Sequence, residues 1–244
     1  MSGAAPHTAV YLAHADDFAG LVALLTPEEH IRARAIALPA PRRRYVAARA
    51  LVRTVLAARL GAPPQALTFA LGPYGKPYLV GLDVPFNLSH TGDHLALAVG
   101  NGPVGVDLEE VRPLQNSHAM LQTALGPLER ERLQRLPPAQ HLAAFYRAWA
   151  CKEAILKAQG VGLTYDLHAV QLTVPADLHA APVPEQGPEG PFGPWQLFLH
   201  WVHPTRVLAL ASTGPGITLI PVQTVEDREG RWIIHPAAAV LERR

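Results

Sequence analysis

Three acidic residues and a lysine in the middle of the chain have the types and spacing of a site that holds a cation and phosphates. Asp107 and Glu109 alternate with apolar residues in the segment GVDLE at 105–109, so on a β-strand both carboxylates point to the same face. Glu153 and Lys157 are four residues apart, which places them on one face of a helix. Mg²⁺ is commonly held by one or two carboxylates together with substrate phosphates. Each pair also has an ordinary interpretation, as a solvated strand face and as an exposed helical ion pair.

Two further segments offer contacts to an anion. The segment FNLSHTG at 86–92 carries Ser89 and His90, whose hydroxyl and imidazole groups could donate to a phosphate. A catalytic Ser-His pair is excluded here, because neighbouring strand side chains point to opposite faces and no G-x-S-x-G elbow is present. Gly75-Lys76-Pro77 belongs to a tight turn that places one cation beside exposed backbone, without the phosphate loop of nucleotide hydrolases. Purely structural turns are the alternative for both segments.

The elements that must position these residues follow the same order twice along the chain. Thr26 and Glu29 predict a capped helix start, and apolar residues at helical spacing predict a helix over 41–60. This helix carries a series of arginines, which favours a solvated face, although one of them could reach a phosphate with its guanidinium fork; the series is Arg42, Arg43, Arg44, Arg49 and Arg53. A second long helix should end at Gly160. We expect a β-meander after each long helix, formed by LTFAL, PYLV, VPFNLSH, HLALAV and PVGVDLEEV in the first half and by AVQLTV, WQLFLHWV, RVLALAS and ITLIPV in the second.

The composition narrows the classes of protein that fit. The chain has 244 residues, 49% of them hydrophobic and 17% charged, which suffices for one large core or two small ones. With 21 basic and 20 acidic residues the formal charge is +1, so no nucleic-acid partner is expected. One cysteine, the lack of a signal-peptide pattern and the lack of an uninterrupted apolar span predict a cytoplasmic protein without a membrane segment. The proline-rich stretch 175–194 should be an exposed loop without a catalytic role.

Four motifs, in this order and spacing, resemble the surfactin-type 4'-phosphopantetheinyl transferases. They are Gly75-Lys76-Pro77, F-N-x-S-H-x-G at 86–92, G-x-D-x-E at 105–109, and W-x-x-K-E-x-x-x-K-x-x-G-x-G at 149–162. The resemblance spans residues 44–162 directly, and the strand patterns on either side suit the family. It implies an α+β pseudo-dimer of two similar helix-plus-antiparallel-sheet halves, residues 1–105 and 106–244, with coenzyme A in the cleft between them.

The resemblance also implies roles for individual residues. Asp107, Glu109 and Glu153 are expected to hold a Mg²⁺ ion at the coenzyme A pyrophosphate, and Lys157 is expected to contact phosphate. The remaining coenzyme A contacts are expected from Arg44, Gly75, Lys76, Pro77, Ser89 and His90. Of these, Arg44 is matched only by its position nine residues before Arg53.

The implied reaction transfers 4'-phosphopantetheine from coenzyme A to a serine of an apo acyl, peptidyl or polyketide carrier protein and releases 3',5'-ADP. Glu153 and Lys157 are the expected catalytic residues: Glu153 takes the serine proton, while Lys157 and His90 hold phosphate oxygens. A chain that contains both halves of the site can act as a monomer. Two alternatives remain: a catalytically silent coenzyme A or carrier-binding protein, which would not need the acids, and a metal-dependent phosphoesterase, for which the sequence shows no second metal cluster.

Overall fold

The structure is a computed structural model that describes residues 7–18, 20–115, 117–162, 165–173, 183–184, 195–213, 216–226, 232–236 and 241–243. The helices are α1 (Ala15–Phe18), α2 (Pro27–Ala35), α3 (Pro39–Leu60), α4 (Ser117–Ala124), α5 (Pro127–Gln134) and α6 (Pro138–Gln159). The strands are β1 (His7–His14), β2 (Phe69–Leu71), β3 (Pro77–Leu79), β4 (Phe86–Thr91), β5 (His94–Val99), β6 (Val104–Glu110), β7 (Leu172–Thr173), β8 (Val183–Pro184), β9 (Gln196–His203), β10 (Arg206–Ser212), β11 (Gly216–Glu226), β12 (Trp232–Pro236) and β13 (Leu241–Arg243).

Two sheets organise the described residues. The first has the order β12-β11-β1-β5-β4, with β13 also paired to β11. Its β1–β11 pairing is parallel and its other pairings are antiparallel. The second sheet has the order β6-β10-β9 and is antiparallel throughout. The predicted α+β class, with helices and largely antiparallel sheets, is therefore confirmed.

Side-chain alternation along the strands produces four layers. In β5, Leu95 belongs to the apolar cluster that contains α3, whereas its neighbour Ala96 belongs to the cluster between the two sheets. In β10, Val207 belongs to the cluster that contains α6, whereas Leu208 faces the first sheet. Because these two interior strands are apolar on both faces, both sheets are covered on both sides. The layers follow the order α3, first sheet, second sheet and α6.

The strand pairing differs from two simple meanders. β6 does not continue the first sheet; it pairs with β10 in the second one. The segment ITLIPV, within β11, pairs with β1 instead of with β10. Both changes bury apolar strand faces: Val10 of β1 and Leu219 of β11 share the cluster between the sheets with Val106 of β6. The chain beyond 216 thus returns to the first sheet, and the predicted boundary between residues 105 and 106 remains a prediction.

Local helix signals match the sequence prediction closely. Thr26 accepts a hydrogen bond from the Glu29 amide while the Glu29 carboxylate accepts one from the Thr26 amide, a complete capping box for α2. Gly61 and Gly160 end α3 and α6 with φ values of 63° and 75°, the left-handed region that favours glycine. The proline-rich stretch 175–194 lies outside the described residues except for β8. None of the described helices combines the length and apolar character needed to cross a bilayer.

Candidate active site

The two sheets meet at their edge strands, β4 and β6, through side chains instead of a backbone ladder. Alternate side chains of β4 accept hydrogen bonds from alternate backbone amides of β6, so the two strands run parallel in a fixed register. This row joins the sheets directly beside the acidic residues of β6. The pairs are Asn87 Oδ1 with the Val106 amide at 2.8 Å, Ser89 Oγ with the Leu108 amide at 3.2 Å, and Thr91 Oγ1 with the Glu110 amide at 3.2 Å.

The other face of β6 lies directly against α6. Gly105 makes this possible, because a Cβ atom there would lie 2.3 Å from the backbone nitrogen of Ala158. Asp107 and Glu109 lie two and four residues further along the strand and therefore share the face of Gly105. The strand alternation predicted from the sequence thus points both acids towards the helix that carries Glu153 and Lys157.

Lys157, Asp107 and Ser89 form a connected polar group. The Nζ atom of Lys157 lies 2.5 Å from Asp107 Oδ1 and 3.1 Å from Ser89 Oγ. The Ser89 hydroxyl in turn donates to Asp107 Oδ1 at 2.9 Å. Asp107 is only 3% exposed, so its charge is balanced mainly by this lysine. The sequence prediction assigned Ser89 to coenzyme A; in this structure its hydroxyl orients Asp107 and Lys157.

Glu109 and Glu153 complete an acidic cluster. Burial, together with the nearby charge of Asp107, raises the pKa of Glu109 to about 7, and the same causes raise the pKa of Glu153 to about 7. The Trp149 indole donates to Glu109 Oε1 at 2.9 Å. Asp107 Oδ2 and Glu153 Oε1 are buried and have no hydrogen-bond partner. Negative charge and open acceptor atoms are therefore concentrated at one place.

The acidic cluster has the chemistry of a Mg²⁺ site, although its side chains do not already form one. Within the residues that the structure describes, no three His, Cys, Asp or Glu side chains are arranged to hold a metal ion. The donors are nevertheless carboxylate oxygens, the ligands that Mg²⁺ prefers. A bound cation would satisfy the unpartnered Asp107 and Glu153 oxygens. Its charge would also offset the burial and the repulsion from Asp107 that together raise the pKa of Glu153. The residues present fit the ion.

His90 lies on the opposite face of β4 from Ser89, close to basic groups. Partial burial, followed by the charges of Arg44 and Lys157, lowers the pKa of His90. Arg44 Nη1 lies 3.9 Å from Asp93 Oδ1, on the turn that follows β4. Two cations that both act on one imidazole form a region that suits a phosphate. Arg44, His90 and Lys157, which the sequence predicted as phosphate contacts, are thus electrostatic neighbours.

The turn that contains Gly75, Lys76 and Pro77 packs against the end of α6. Gly75 has φ of 82°, which closes the turn between β2 and β3. The Lys76 ammonium donates to the backbone carbonyls of Val104 and Ala158, each at 3.0 Å. The turn therefore contacts the start of β6 and the end of α6, and the lysine charge is directed to main-chain oxygens. The expected contacts of Gly75, Lys76 and Pro77 with coenzyme A remain a prediction.

A cavity of about 400 Å³ in the N-terminal part of the chain was not anticipated from the sequence. Arg49 and Arg53 lie over the Phe69 ring, with their Cζ atoms 4.6 and 5.1 Å from its centroid. Arg53 Nε also donates to Glu29 Oε2 at 2.7 Å. The four-residue spacing of the two arginines indicates that they share one face of α3. Their aromatic partner could not be identified from the sequence, because Phe69 lies outside this helix. The lining includes Arg32, Tyr45, Arg49, Phe69 and Pro77, and none of the three site acids.

Comparison with known proteins gives a consistent pattern over both parts of the chain. A family model described as 4'-phosphopantetheinyl transferase superfamily matches residues 103–211, and one described as 4'-phosphopantetheinyl transferase, N-terminal, matches residues 12–101. The 4'-phosphopantetheinyl transferase HetI of Nostoc sp. is 37% identical over 172 residues, which is 66% of this chain and 72% of the relative.

Two further relatives are matched over a smaller share of their length. The 4'-phosphopantetheinyl transferase of Bacillus subtilis is 33% identical over 132 residues, 54% of this chain and 58% of the relative. A putative 4'-phosphopantetheinyl transferase of Synechocystis sp. is 34% identical over 155 residues, 62% of this chain and 63% of the relative. The matched region therefore spans less than two thirds of these two proteins.

Proposed function

The chain belongs to the 4'-phosphopantetheinyl transferase superfamily, and we propose that it transfers 4'-phosphopantetheine from coenzyme A to a serine of an apo carrier protein. The observation that carries this proposal is the meeting of Asp107, Glu109, Glu153 and Lys157 where β6 crosses α6. Placing two buried acids and the half-buried Glu109 beside one lysine lowers the stability of the fold. A protein that only binds coenzyme A would gain nothing from this arrangement. The cluster therefore favours an enzyme over a silent binding protein.

Coenzyme A would extend from the acidic cluster towards the N-terminal part of the chain. Arg44, His90 and Lys157 lie near one another and would contact its phosphates. Pro77 borders the cavity that contains Arg49 and Phe69, and Gly75 and Pro77 would line the nucleotide end through their turn. Cationic and aromatic side chains suit the adenosine and phosphate groups of the coenzyme.

Asp107, Glu109 and Glu153 would hold the Mg²⁺ ion. When bound there, the ion supplies charge neutralisation to the pyrophosphate of coenzyme A. Burial and the charge of Asp107 raise the pKa values of Glu109 and Glu153 to about 7. Both acids would therefore lose protons as the site is loaded.

The reaction would depend on Glu153 and Lys157. Glu153 accepts the proton of the carrier serine, directly or through one water, as the serine oxygen attacks the β-phosphorus of coenzyme A. Loading of the site removes the Glu153 proton, and the ionised carboxylate is the form that a general base requires. The bond between that phosphorus and the bridging oxygen breaks, and 3',5'-ADP leaves with the electron pair. Lys157 holds phosphate oxygens as negative charge moves to the leaving group.

We propose the carrier substrate, the oligomeric state and the cellular compartment on the same basis. The substrate is an acyl, peptidyl or polyketide carrier protein, and both halves of the site, 1–105 and 106–244, come from one chain, so the protein can act as a monomer. The single cysteine is buried, and burial raises its pKa to about 12, which suits a structural residue in the reducing cytoplasm. Neither nucleic acid nor membrane is a proposed partner, in line with the formal charge of +1.

The decisive experiment is intact-mass spectrometry of apo carrier proteins after incubation with this protein, coenzyme A and Mg²⁺. We expect a gain of one phosphopantetheine on at least one acyl, peptidyl or polyketide carrier, and no gain when a chelator is present. The Glu153→Gln variant is the matched control for a contaminating transferase. Binding of coenzyme A without any gain in mass on all three carriers would favour the silent binding protein.

A further inference from the structure

Lysine is used sparingly in this chain, and each lysine occupies an enclosed position. The sequence contains three lysines among 21 basic residues, and all three fall within the site motifs. Lys152 is fully buried and donates to Glu129 and to two backbone carbonyls. Lys157 contacts Asp107 and Ser89. A compact ammonium with three donors suits such cages of oxygen atoms better than a planar guanidinium does.

We propose that Lys76 is a positioning residue: its ammonium fixes the C-terminal end of α6 to the β2–β3 turn and thereby sets the positions of Glu153 and Lys157. This inference rests on the proposed function and changes the role expected for Lys76, from a coenzyme A contact to a link within the protein.

The two acceptors of Lys76 belong to the two elements that build the acidic cluster. The Ala158 carbonyl lies in the last turn of α6, directly after Lys157, and the Val104 carbonyl lies at the start of β6, three residues before Asp107. Carbonyls in the last turn of a helix have no partner within the helix, and a cation there is favourable. One ammonium therefore joins the start of the acid-bearing strand to the end of the base-bearing helix.

Two glycines after α6 leave space for this link. A Cβ atom on Gly160 would lie 3.2 Å from Lys76 Cδ, and one on Gly162 would lie 3.7 Å from Tyr74 Cβ. Both glycines have positive φ, 75° and 67°, so a side chain would also be strained there. In the final G-x-G of the helix motif, Gly160 thus leaves room for the aliphatic part of Lys76, and Gly162 leaves room for Tyr74 of the turn.

Among the residues that the structure describes, no acidic side chain contacts Lys76. Burial is the cause that lowers the pKa of Lys76 to about 8, whereas an anionic partner would raise it. After donating to two carbonyls, the ammonium has one N–H left. The loss of a proton would not break the link, because a neutral amine still carries two N–H donors.

The first test uses the small number of lysines. Full-length protein labelled with ¹³C and ¹⁵N in lysine should give three side-chain signals by NMR, and Lys76→Met identifies the one from Lys76. We expect that signal to titrate near pH 8 and to keep this midpoint when coenzyme A is saturating, while the Lys157 signal shifts. A rise of the Lys76 midpoint towards 10.5 with coenzyme A would show a phosphate contact and overturn the proposal.

The second test separates positioning from coenzyme A binding. Lys76→Met keeps the aliphatic stem and removes the donors, so we expect kcat to fall about tenfold or more with the KM for coenzyme A within about twofold. Lys76→Arg, which can donate to both carbonyls, should restore part of kcat. A raised KM with unchanged kcat would contradict the proposal.

Stability of the coenzyme-free protein provides a readout that does not depend on the proposed function. At pH 9, Lys76→Met should unfold at a lower urea concentration than the parent protein, because two carbonyls lose their donor. Gly160→Ala should lower the free energy of unfolding by disturbing the same link. The double variant should lose less unfolding free energy than the sum of the two single losses. Unchanged unfolding of Lys76→Met together with additive losses would overturn the proposal even if the protein is an active transferase.

Discussion

A Cβ atom placed on Gly105 would lie 2.0 Å from the carbonyl oxygen of Ala154. At this point β6 and α6 touch backbone to backbone, and this contact allows Lys157 Nζ to lie 2.5 Å from Asp107 Oδ1. No side-chain rotation can relieve such a clash, since the nearest atoms belong to the helix backbone. The absence of a side chain at Gly105 therefore brings Asp107 and Glu109 close to the helix that carries Glu153 and Lys157.

Gly105→Ala should separate β6 from α6 and lose both stability and activity. We expect a loss of about 3 kcal/mol or more in the free energy of unfolding, measured by urea unfolding followed by circular dichroism. Gly20→Ala is the matched control, because nothing lies within 4 Å of a Cβ there and φ is −76°. Equal stability of the two variants would mean that the close contact does not hold in solution.

Glu153→Gln should bind coenzyme A but fail to transfer phosphopantetheine, because an amide cannot accept the serine proton. The expected loss in rate is about 10²- to 10⁴-fold, measured by intact mass, with coenzyme A affinity measured by calorimetry. Glu131→Gln is the control, since Glu131 is exposed and pairs only with Arg135 among the contacts of the described residues. Full transfer by Glu153→Gln would remove Glu153 from its role as base.

Asp107→Asn should raise the Mg²⁺ concentration required for half-maximal transfer by about tenfold or more. The carboxylate would lose its charge at the centre of the cluster, where Asp107 also contacts Lys157 and Ser89. The measurement is the rate of transfer as a function of Mg²⁺, with the exposed residue Asp166 changed to asparagine as the control. An unchanged Mg²⁺ midpoint would show that Asp107 is not a ligand.

The buried pair Lys152–Glu129 should anchor α5 to α6. The Nζ–Oε2 distance is 2.6 Å and both side chains are at most 1% exposed. Lys152→Met leaves the Glu129 charge uncompensated, so the expected loss in the free energy of unfolding is about 3 to 5 kcal/mol. Adding Glu129→Gln removes that charge and should recover part of the loss. Failure of the second change to restore any stability would show that the pair acts through packing alone.

The stability of the protein should depend on pH through Lys76. Burial lowers the pKa of Lys76 in the folded state to about 8, from the usual value of 10.5 for a lysine. Between these two pH values the unfolded chain therefore binds more protons than the folded protein does. The free energy of unfolding consequently rises with pH across this window. Below pH 8 the buried charge destabilises the fold to its full extent. The total change is at most about 3 kcal/mol. The measurement is the difference in unfolding free energy between the parent protein and Lys76→Met from pH 7 to 10.5; a flat difference would contradict the lowered pKa.

Much of the site could be predicted because its motifs rely on short-range geometry. The capping box of Thr26 and Glu29, the end of α6 at Gly160 and the shared face of Asp107 and Glu109 all depend on residues within a few positions of one another. Hydrogen bonds and steric limits at this range are the same in any fold. These features therefore appear in the structure where the sequence pattern indicated them.

The tertiary structure alone decided which surfaces meet. Lys76 reaches Ala158, 82 residues away, and β11 pairs with β1 instead of with β10. Ser89, one of the expected coenzyme A contacts, points to β6 and to Lys157. An alternating apolar strand fits several partners equally well, and a polar side chain can donate to a ligand or to a distant backbone group. The burial of apolar faces selects among these choices. The free energy gained by this burial depends on how all the layers pack together, so it cannot be read from one segment alone.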